Sequence, residues 1–183
     1  MQPEDRPPAY LRQYLRVADN FTLAAHRTLL PGQKLAREYS HKDISPFPAT
    51  SDDPGDPAKP DSSELYRKLK SGGFADWRIS IDGSVERPGL YSLADLKGFP
   101  SSTQITRLTC EEGWSGIAEW TGVALRRVLD VAGLRASACC VCFYSYDAWS
   151  DSIDMLDALH PQTMLAYGMN GRDLTIPGGA PLG

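Results

Sequence analysis

The sequence predicts an α+β fold built from mixed β-sheets and short helices, and three observations support this. Short strand-like and helix-like segments follow each other without the regular strand–helix–strand rhythm of a doubly wound sheet. Neither Gly-x-Gly-x-x-Gly nor Gly-x-x-x-x-Gly-Lys occurs, so the common dinucleotide and nucleoside triphosphate sites are unsupported. The 183 residues, 42% of them hydrophobic, suffice for one domain with a buried core and an appendage.

The charge balance excludes one broad class of partner. Nineteen basic and 23 acidic residues give a net charge of -4, without a long run of either sign. A protein that binds nucleic acid needs a basic face, so nucleic acid is not expected as a partner of this chain. No apolar stretch approaches the ~20 residues of a membrane span, and the N-terminus does not have the order of charges and apolar residues found in a signal peptide.

The chain divides into an N-terminal part, residues 1–63, and a domain, residues 64–183. Apolar spacing predicts a helix within residues 9–30, which ends at Pro31-Gly32. Residues 43–63 are rich in Pro, Asp and Ser and predict an extended surface arm. A short helix is expected over 64–70.

The first elements of the domain are a hairpin and a capped helix. Alternating apolar residues over 77–82 predict a strand, and Asp82-Gly83 is typical of a hairpin turn. The next predicted helix covers 93–97, with Ser92 as its N-cap and Gly98 as its end.

The second half supplies the remaining elements. The patterns predict a strand over 103–109, a loop over 111–115 and a helix over 123–132. They also predict a buried strand over the apolar run 138–146, an acidic turn from 151, and a short apolar segment over 163–169.

Cys110 is the most informative cysteine, because it ends a predicted strand and precedes a glycine-containing loop. Such a position favours the thiolate, which is the nucleophilic and metal-binding form. Residue types alone leave three interpretations open: a structural cysteine beside Trp114 and Trp120, a redox-sensing thiol, or a metal ligand. Cys139, Cys140 and Cys142 are expected to be core residues of their strand, and His160 is expected to stabilise a turn.

The sequence resembles the sulfite oxidase family of molybdopterin-dependent oxidoreductases from about residue 74 onward. Residues 110–115 read CEEGWS and residues 120–125 read WTGVAL, which is the family's signature. The upstream segment WRISIDGSVERP at 77–88 resembles the opening strands of the family. Two downstream segments match later parts of the family in the same order: DALHPQTMLAYGMNG at 157–171 and GAPL at 179–182.

The resemblance implies a molybdenum–molybdopterin cofactor, with the fold of that family. Cys110 would be the protein's thiolate ligand to molybdenum, a soft ligand for a redox-active metal. Glu112 would stand beside the metal as the second catalytic residue. The implied cofactor contacts are Ser145, Gly179 and, in the looser match over 35–41, Arg37 and Tyr39.

Two departures from the family pattern concern cofactor binding. The chain stops at Gly183, where relatives have an arginine followed by a segment that closes over the pterin phosphate, so the domain is expected to be truncated at its C-terminus. Gly178 stands where relatives usually have Asn or His. An alternative is therefore a cofactor-poor or non-catalytic fragment that needs a missing tail or a partner.

The expected reaction is oxygen-atom transfer between the metal and a small molecule, with a haem protein as electron partner and the periplasm as location. Sulfite-oxidising relatives follow their cysteine with arginines, whereas this chain has Glu111 and Glu112. Two charges 4 Å apart interact by ~4 kcal/mol at a partly shielded site, so these carboxylates would repel sulfite. The expected direction is reduction of an S- or N-oxide, and sulfite oxidation is the alternative.

Overall fold

The fold is organised around the long hairpin that carries Cys110 at its tip. In the computed structural model the described residues are 35–46, 48, 53–59, 62–110, 113–146 and 149–183. Strand β3 spans Ser101–Thr109 and pairs over its full length with β4, Ser115–Ala124. Strands β7, Met164–Met169, and β8, Arg172–Asp173, extend the sheet in the order β3-β4-β7-β8.

Two smaller sheets complete the strand inventory of the described residues. Strand β1, Arg78–Ile81, pairs with β2, Gly89–Ser92. Strand β5, Cys140–Tyr144, pairs with β6, Ser150–Asp154. Each of these pairings is antiparallel, as are those of the larger sheet.

The described residues contain four short helices, and a Ser or Asp side chain caps the start of three of them. The four helices are α1 (Glu64–Ser71), α2 (Leu93–Lys97), α3 (Leu125–Ala132) and α4 (Met155–Ala158). Ser92 caps α2, because its Oγ accepts from the Asp95 N–H while the Asp95 carboxylate accepts from the Ser92 N–H. The Ser92 hydroxyl, followed by the Ser92 N–H, donates to the Asp95 carboxylate and lowers the pKa of Asp95. Two 3-10 turns cover His41–Asp43 and Ile176–Gly178.

The core lies where α3 packs with the end of β4 and the start of β7. Val123 and Val128 are fully buried, and Leu125, Leu129 and Leu165 join them in one cluster. Sheets with short helices around a shared core confirm the predicted α+β class.

The structure corrects several predicted elements. Residues 115–124 form a strand that was not predicted, and the helix expected from 123 begins at Leu125. The reason is that Val123 and Ala124 extend the ladder with β7. The expected two-residue turn at 82–83 is a longer connection, in which Val85 bridges Leu134 before β2 begins.

The apolar run at 138–146 does not form a buried strand. Strand β5 has one partner and alternates, so Val141 and Phe143 pack on the core while Cys140, Cys142 and Tyr144 are exposed. The core role predicted for the three neighbouring cysteines was therefore wrong, since Cys139 is exposed as well. The acidic turn expected from 151 is instead strand β6, followed by α4 with Asp154 as its N-cap.

Some predictions for the N-terminal part, among them the helix within 9–30, lie outside the described residues. Of the predicted surface arm, the described part is anchored: the Ser45 N–H donates to the Ile117 carbonyl, and Gly55 is buried beside Arg67. Helix α1 matches the prediction for 64–70, with one more residue and Gly72 as its C-cap. No helix of the described residues is both long and apolar enough to cross a membrane.

Tyr66 on α1 gives a pH-dependent prediction for stability. Its hydroxyl donates to the Ala180 carbonyl at 2.8 Å, and burial, followed by the charge of Asp53, raises the pKa of Tyr66 to about 12. The unfolded phenol ionises near pH 10, so this stabilisation is complete below pH 10 and is lost between pH 10 and 12.

We expect Tyr66→Phe to lower the free energy of unfolding by ~1 kcal/mol at pH 8, the net value of one hydrogen bond. The difference from the native chain should shrink at pH 11. Urea unfolding at both pH values measures this, with Tyr144→Phe, whose residue is 82% exposed, as control. An equal difference at both pH values would contradict the role of the buried phenol.

Candidate functional site

Cys110 lies in the short loop that joins β3 to β4. The Cys110 N–H donates to the Trp114 carbonyl at 2.9 Å, and the Gly113 N–H donates to the Cys110 carbonyl at 3.1 Å. Gly113 has a φ of 90°, a backbone conformation that glycine adopts without strain. The sequence therefore closes this loop through backbone bonds and presents a half-buried thiol at its edge.

The backbone of the loop is open at Gly113. A Cβ built on Gly113 would meet no heavy atom of the described residues within 4 Å, leaving aside its chain neighbours. Within the described ranges, no three His, Cys, Asp or Glu side chains are grouped to hold a metal ion. Cys110 thus offers a single soft sulfur beside open backbone, which fits a metal whose other ligands come from an organic cofactor.

Residues 35–46, the strap, cross one face of the β3–β4 hairpin. Tyr39 donates its N–H to the Ile105 carbonyl on the outer edge of β3, and Ser45 donates to the Ile117 carbonyl on the outer edge of β4. Between these anchors the His41 Nδ1 lies 3.4 Å from the Glu119 Oε2. The strap is therefore held against both strands of the hairpin that carries Cys110.

Arg37 and Tyr39 lie beside β3 in a small cation–π cluster. The Arg37 and Arg107 guanidinium carbons lie 5.0 Å and 5.7 Å from the centre of the Tyr39 ring. Glu38 bridges Thr106, so alternation directs Glu38 and Thr106 to one face of β3, and Arg37, Tyr39 and Arg107 to the other. The cofactor contacts predicted for Arg37 and Tyr39 stay predictions.

The other predicted site residues occupy separate places. Ser145 follows β5, where its N–H and Oγ both donate to the Trp149 carbonyl, and it shares no sheet with Cys110. Gly179 follows a 3-10 turn with a φ of 89°. Glu112 lies outside the described residues. The roles predicted for all of these residues stay predictions.

Gln162 is a residue of this region that sequence reasoning missed. Its side-chain amide accepts from the Ala36 N–H and donates to the Ala36 carbonyl, both at 2.9 Å, and also donates to Glu38. Its own carbonyl accepts from the Gln104 side chain on β3. His160 fixes the turn by accepting the Gln162 N–H at its Nδ1, which confirms the predicted turn role. No sequence motif marks a side chain that hydrogen-bonds the backbone of a segment distant in the chain.

A second missed feature holds β7 against the hairpin. Asn170 and Gly171 both have positive φ, which is the two-residue turn that joins β7 to β8. Asn170 also bonds Glu119 twice, through its N–H and its side-chain oxygen. The Asn-Gly pair could have predicted this turn from the sequence, since Asn-Gly is strongly preferred in two-residue hairpin turns.

We expect Gln162→Ala to loosen the strap. Loss of the Gln162 side chain removes two hydrogen bonds to the Ala36 backbone, each worth ~1 kcal/mol. Amide hydrogen exchange over 35–41 should therefore accelerate ~10-fold or more. Exchange over β5, a region that Gln162 does not contact, is the internal reference. Unchanged exchange at 35–41 would contradict the clamp, and Gln162→Glu, which keeps the acceptor for Ala36, should show a smaller effect.

Several proteins similar to this chain are protein-methionine-sulfoxide reductase subunits by name. It is 35% identical over 140 residues to the protein-methionine-sulfoxide reductase catalytic subunit MsrP of Xanthomonas axonopodis pv. citri, covering 68% of this chain and 42% of that protein. It is 37% identical over 108 residues to the putative protein-methionine-sulfoxide reductase subunit YedZ1 of Azospira oryzae, covering 59% and 41%. The chain thus spans about two fifths of the length of these relatives.

A solved structure supports the fold, and a family model identifies the domain. The sulfane dehydrogenase SoxCD of Paracoccus pantotrophus matches with a TM-score of 0.56 and 24% identity, over 58% of this chain and 32% of that chain. At this identity the likeness shows the fold alone. Residues 68–183 match the model described as the oxidoreductase molybdopterin binding domain, so the chain belongs to that family, as its motifs predict.

Proposed function

We propose that this chain carries the molybdenum-cofactor site of an oxidoreductase that reduces an S-oxide by oxygen-atom transfer. The observation that carries the proposal is the single thiol of Cys110, presented in an open glycine loop of a molybdopterin-binding domain. Relatives named protein-methionine-sulfoxide reductase favour methionine sulfoxide in proteins as the S-oxide, with N-oxides as the next class.

The chain's own residues would hold and orient the cofactor. The bound cofactor would supply a metal centre that accepts an oxygen atom and is reset by electrons. Cys110 would anchor the metal through its sulfur, since thiolates suit soft metals. The open approaches at Gly113 and Gly179 would let the organic part lie close to backbone, and the clamp by Gln162 would keep the strap in place beside β3. Contacts from Ser145, Arg37 and Tyr39 belong to this proposal.

Charge near Cys110 favours a neutral or zwitterionic substrate over sulfite. Glu111 and Glu112 follow the cysteine directly. Arg107, the nearest preceding cation, packs over the Tyr39 ring. An ionised glutamate ~4 Å from an anion at an effective dielectric of 20 repels it by ~4 kcal/mol, whereas a sulfoxide carries no net charge.

Steady-state turnover and metal content test this function together. Purified protein would be analysed for molybdenum and assayed with a methionine-sulfoxide peptide plus a reduced one-electron dye, and separately with sulfite. We expect molybdenum in the protein and faster turnover of the sulfoxide, with one water and the thioether as products. Faster turnover of sulfite at a low half-saturation concentration would establish sulfite oxidation instead, and absent molybdenum would establish a cofactor-poor fragment.

The proposal includes an electron partner and a location. Reduction of each sulfoxide consumes two electrons, so a redox partner must deliver them, and we propose a haem-containing protein. Methionine sulfoxide reductases among the relatives favour a periplasmic site of action. The haem partner can be tested by mixing the protein with a purified, reduced haem protein and then adding sulfoxide. Loss of the absorbance of the reduced haem would show that the haem protein delivers the electrons.

A further inference from the structure

Cys139, Cys140 and Cys142 lie within four residues of one another at a sheet that Cys110 does not share. Cys140 and Cys142 lie on β5, Cys139 directly precedes it, and all three are exposed. The Cys139 thiol donates to the Cys140 sulfur, with the two sulfurs 3.7 Å apart. Nothing in the proposed oxygen-transfer chemistry uses these residues.

The packing of β5 explains why the thiols face solvent. Val141 and Phe143 pack against the core, so the alternate side chains point outward. Across the ladder, Cys140 pairs with Asp154 and Cys142 with Ser152, both exposed polar residues. A reagent in solution can therefore reach the pair formed by Cys139 and Cys140.

The geometry of this pair disfavours a disulfide. Adjacent Cα atoms are ~3.8 Å apart, whereas disulfides usually join Cα atoms 4.4–6.8 Å apart. The sulfurs would also have to close to ~2.05 Å from their present 3.7 Å.

The same geometry suits a bridging ion. Two bonds of ~2.3 Å at an angle of ~90–110° hold two sulfurs ~3.3–3.8 Å apart, and the separation observed here lies in that range. The hydrogen bond to Cys140, followed by the charge of Cys140, raises the pKa of Cys139.

We propose that Cys139 and Cys140 form a surface dithiol that chelates a trivalent arsenical, a thiophilic centre that takes two sulfur ligands at a bent angle. The described residues supply no group of three ligands, so an ion that needs four protein ligands, such as structural zinc, does not fit. For a trivalent arsenical the step is an exchange without oxidation. Two S–H bonds break, two As–S bonds form, and the arsenic oxygen leaves with both protons as water.

Phenylarsine oxide is a direct probe of this site. Intact-mass measurement of the native chain should show one phenylarsenic group bound with loss of one water, and an excess of monothiol should not remove it. Cys139→Ser and Cys140→Ser should each abolish this adduct. Cys142→Ser and Cys110→Ser are the matched controls and should retain it, with all four variants compared by their urea midpoints.

The result depends on mass alone, so it is separate from the proposed enzymatic function. Retention of the adduct in Cys139→Ser would overturn the proposal, since Cys140 and Cys142 would then be the chelating pair. Loss of the adduct in Cys110→Ser, or its absence from the native chain, would overturn it equally.

Discussion

Cys110→Ser is expected to reduce turnover of the sulfoxide substrate by ~100-fold or more and to lower the molybdenum content of the purified protein. A hydroxyl is harder and far less acidic than a thiol, so it is a poor anchor for a soft metal. Loss of residues that merely orient a metal ligand already costs 10–100-fold, and removal of the ligand itself should cost at least the upper end of that range. Elemental analysis and steady-state kinetics measure the two effects.

The fold should survive this change, because the loop is closed by backbone bonds. Cys110 contributes its N–H and carbonyl to those bonds, and serine supplies the same groups. We expect the free energy of unfolding to change by less than ~1 kcal/mol. Cys142→Ser, an exposed cysteine on β5, is the matched control and should retain full turnover. Wild-type turnover in Cys110→Ser would refute Cys110 as the metal ligand.

Gly122→Ala is expected to cause the largest loss of stability. A Cβ on Gly122 would lie 2.2 Å from the Leu165 carbonyl oxygen and 2.9 Å from the Ala166 Cα, and both are backbone atoms of β7. The register between β4 and β7 shifts at this residue, so the two strands approach closely here. Backbone cannot move aside as a side chain can, and we expect a loss of ~3 kcal/mol or more.

Urea unfolding measures this loss, and Gly89→Ala supplies the control. A Cβ on Gly89 would have its nearest contact at 3.5 Å, with the ring of Tyr91, which is an ordinary packing distance. That variant should stay within ~0.5 kcal/mol of the native chain. If Gly122→Ala behaved like Gly89→Ala, the close approach of β4 and β7 would be wrong.

The ends of α2 could be predicted because they are set by neighbouring residues. Ser92, Asp95 and Gly98 specify α2 through bonds within one or two turns, and the structure has that helix at its predicted bounds. Strand β4 could not be predicted in the same way. Its glycines, tryptophan and glutamate have no common propensity, and the strand exists because β3 and β7 pair with it on both edges.

The cysteines show the same division. Cys110 could be assigned from its motif, since the spacing CEEGWS is local and specific. The apolar run at 138–146 was assigned to the core, but burial depends on how many elements cover a strand, and β5 has β6 as its partner and one packed face. Hydrophobic composition alone does not distinguish a covered face from an open one.

The sequence by itself determined the family, the α+β class and the capped helix α2, because motifs, caps and turn residues act over a few positions. Tertiary structure alone decided that Gln162 clamps Ala36, 126 residues away in the chain, and that the strap crosses the β3–β4 hairpin. It also decided that Arg37 and Arg107 meet at the Tyr39 ring. These contacts join segments distant in sequence, and their geometry is fixed by strand register and packing, which no local pattern encodes.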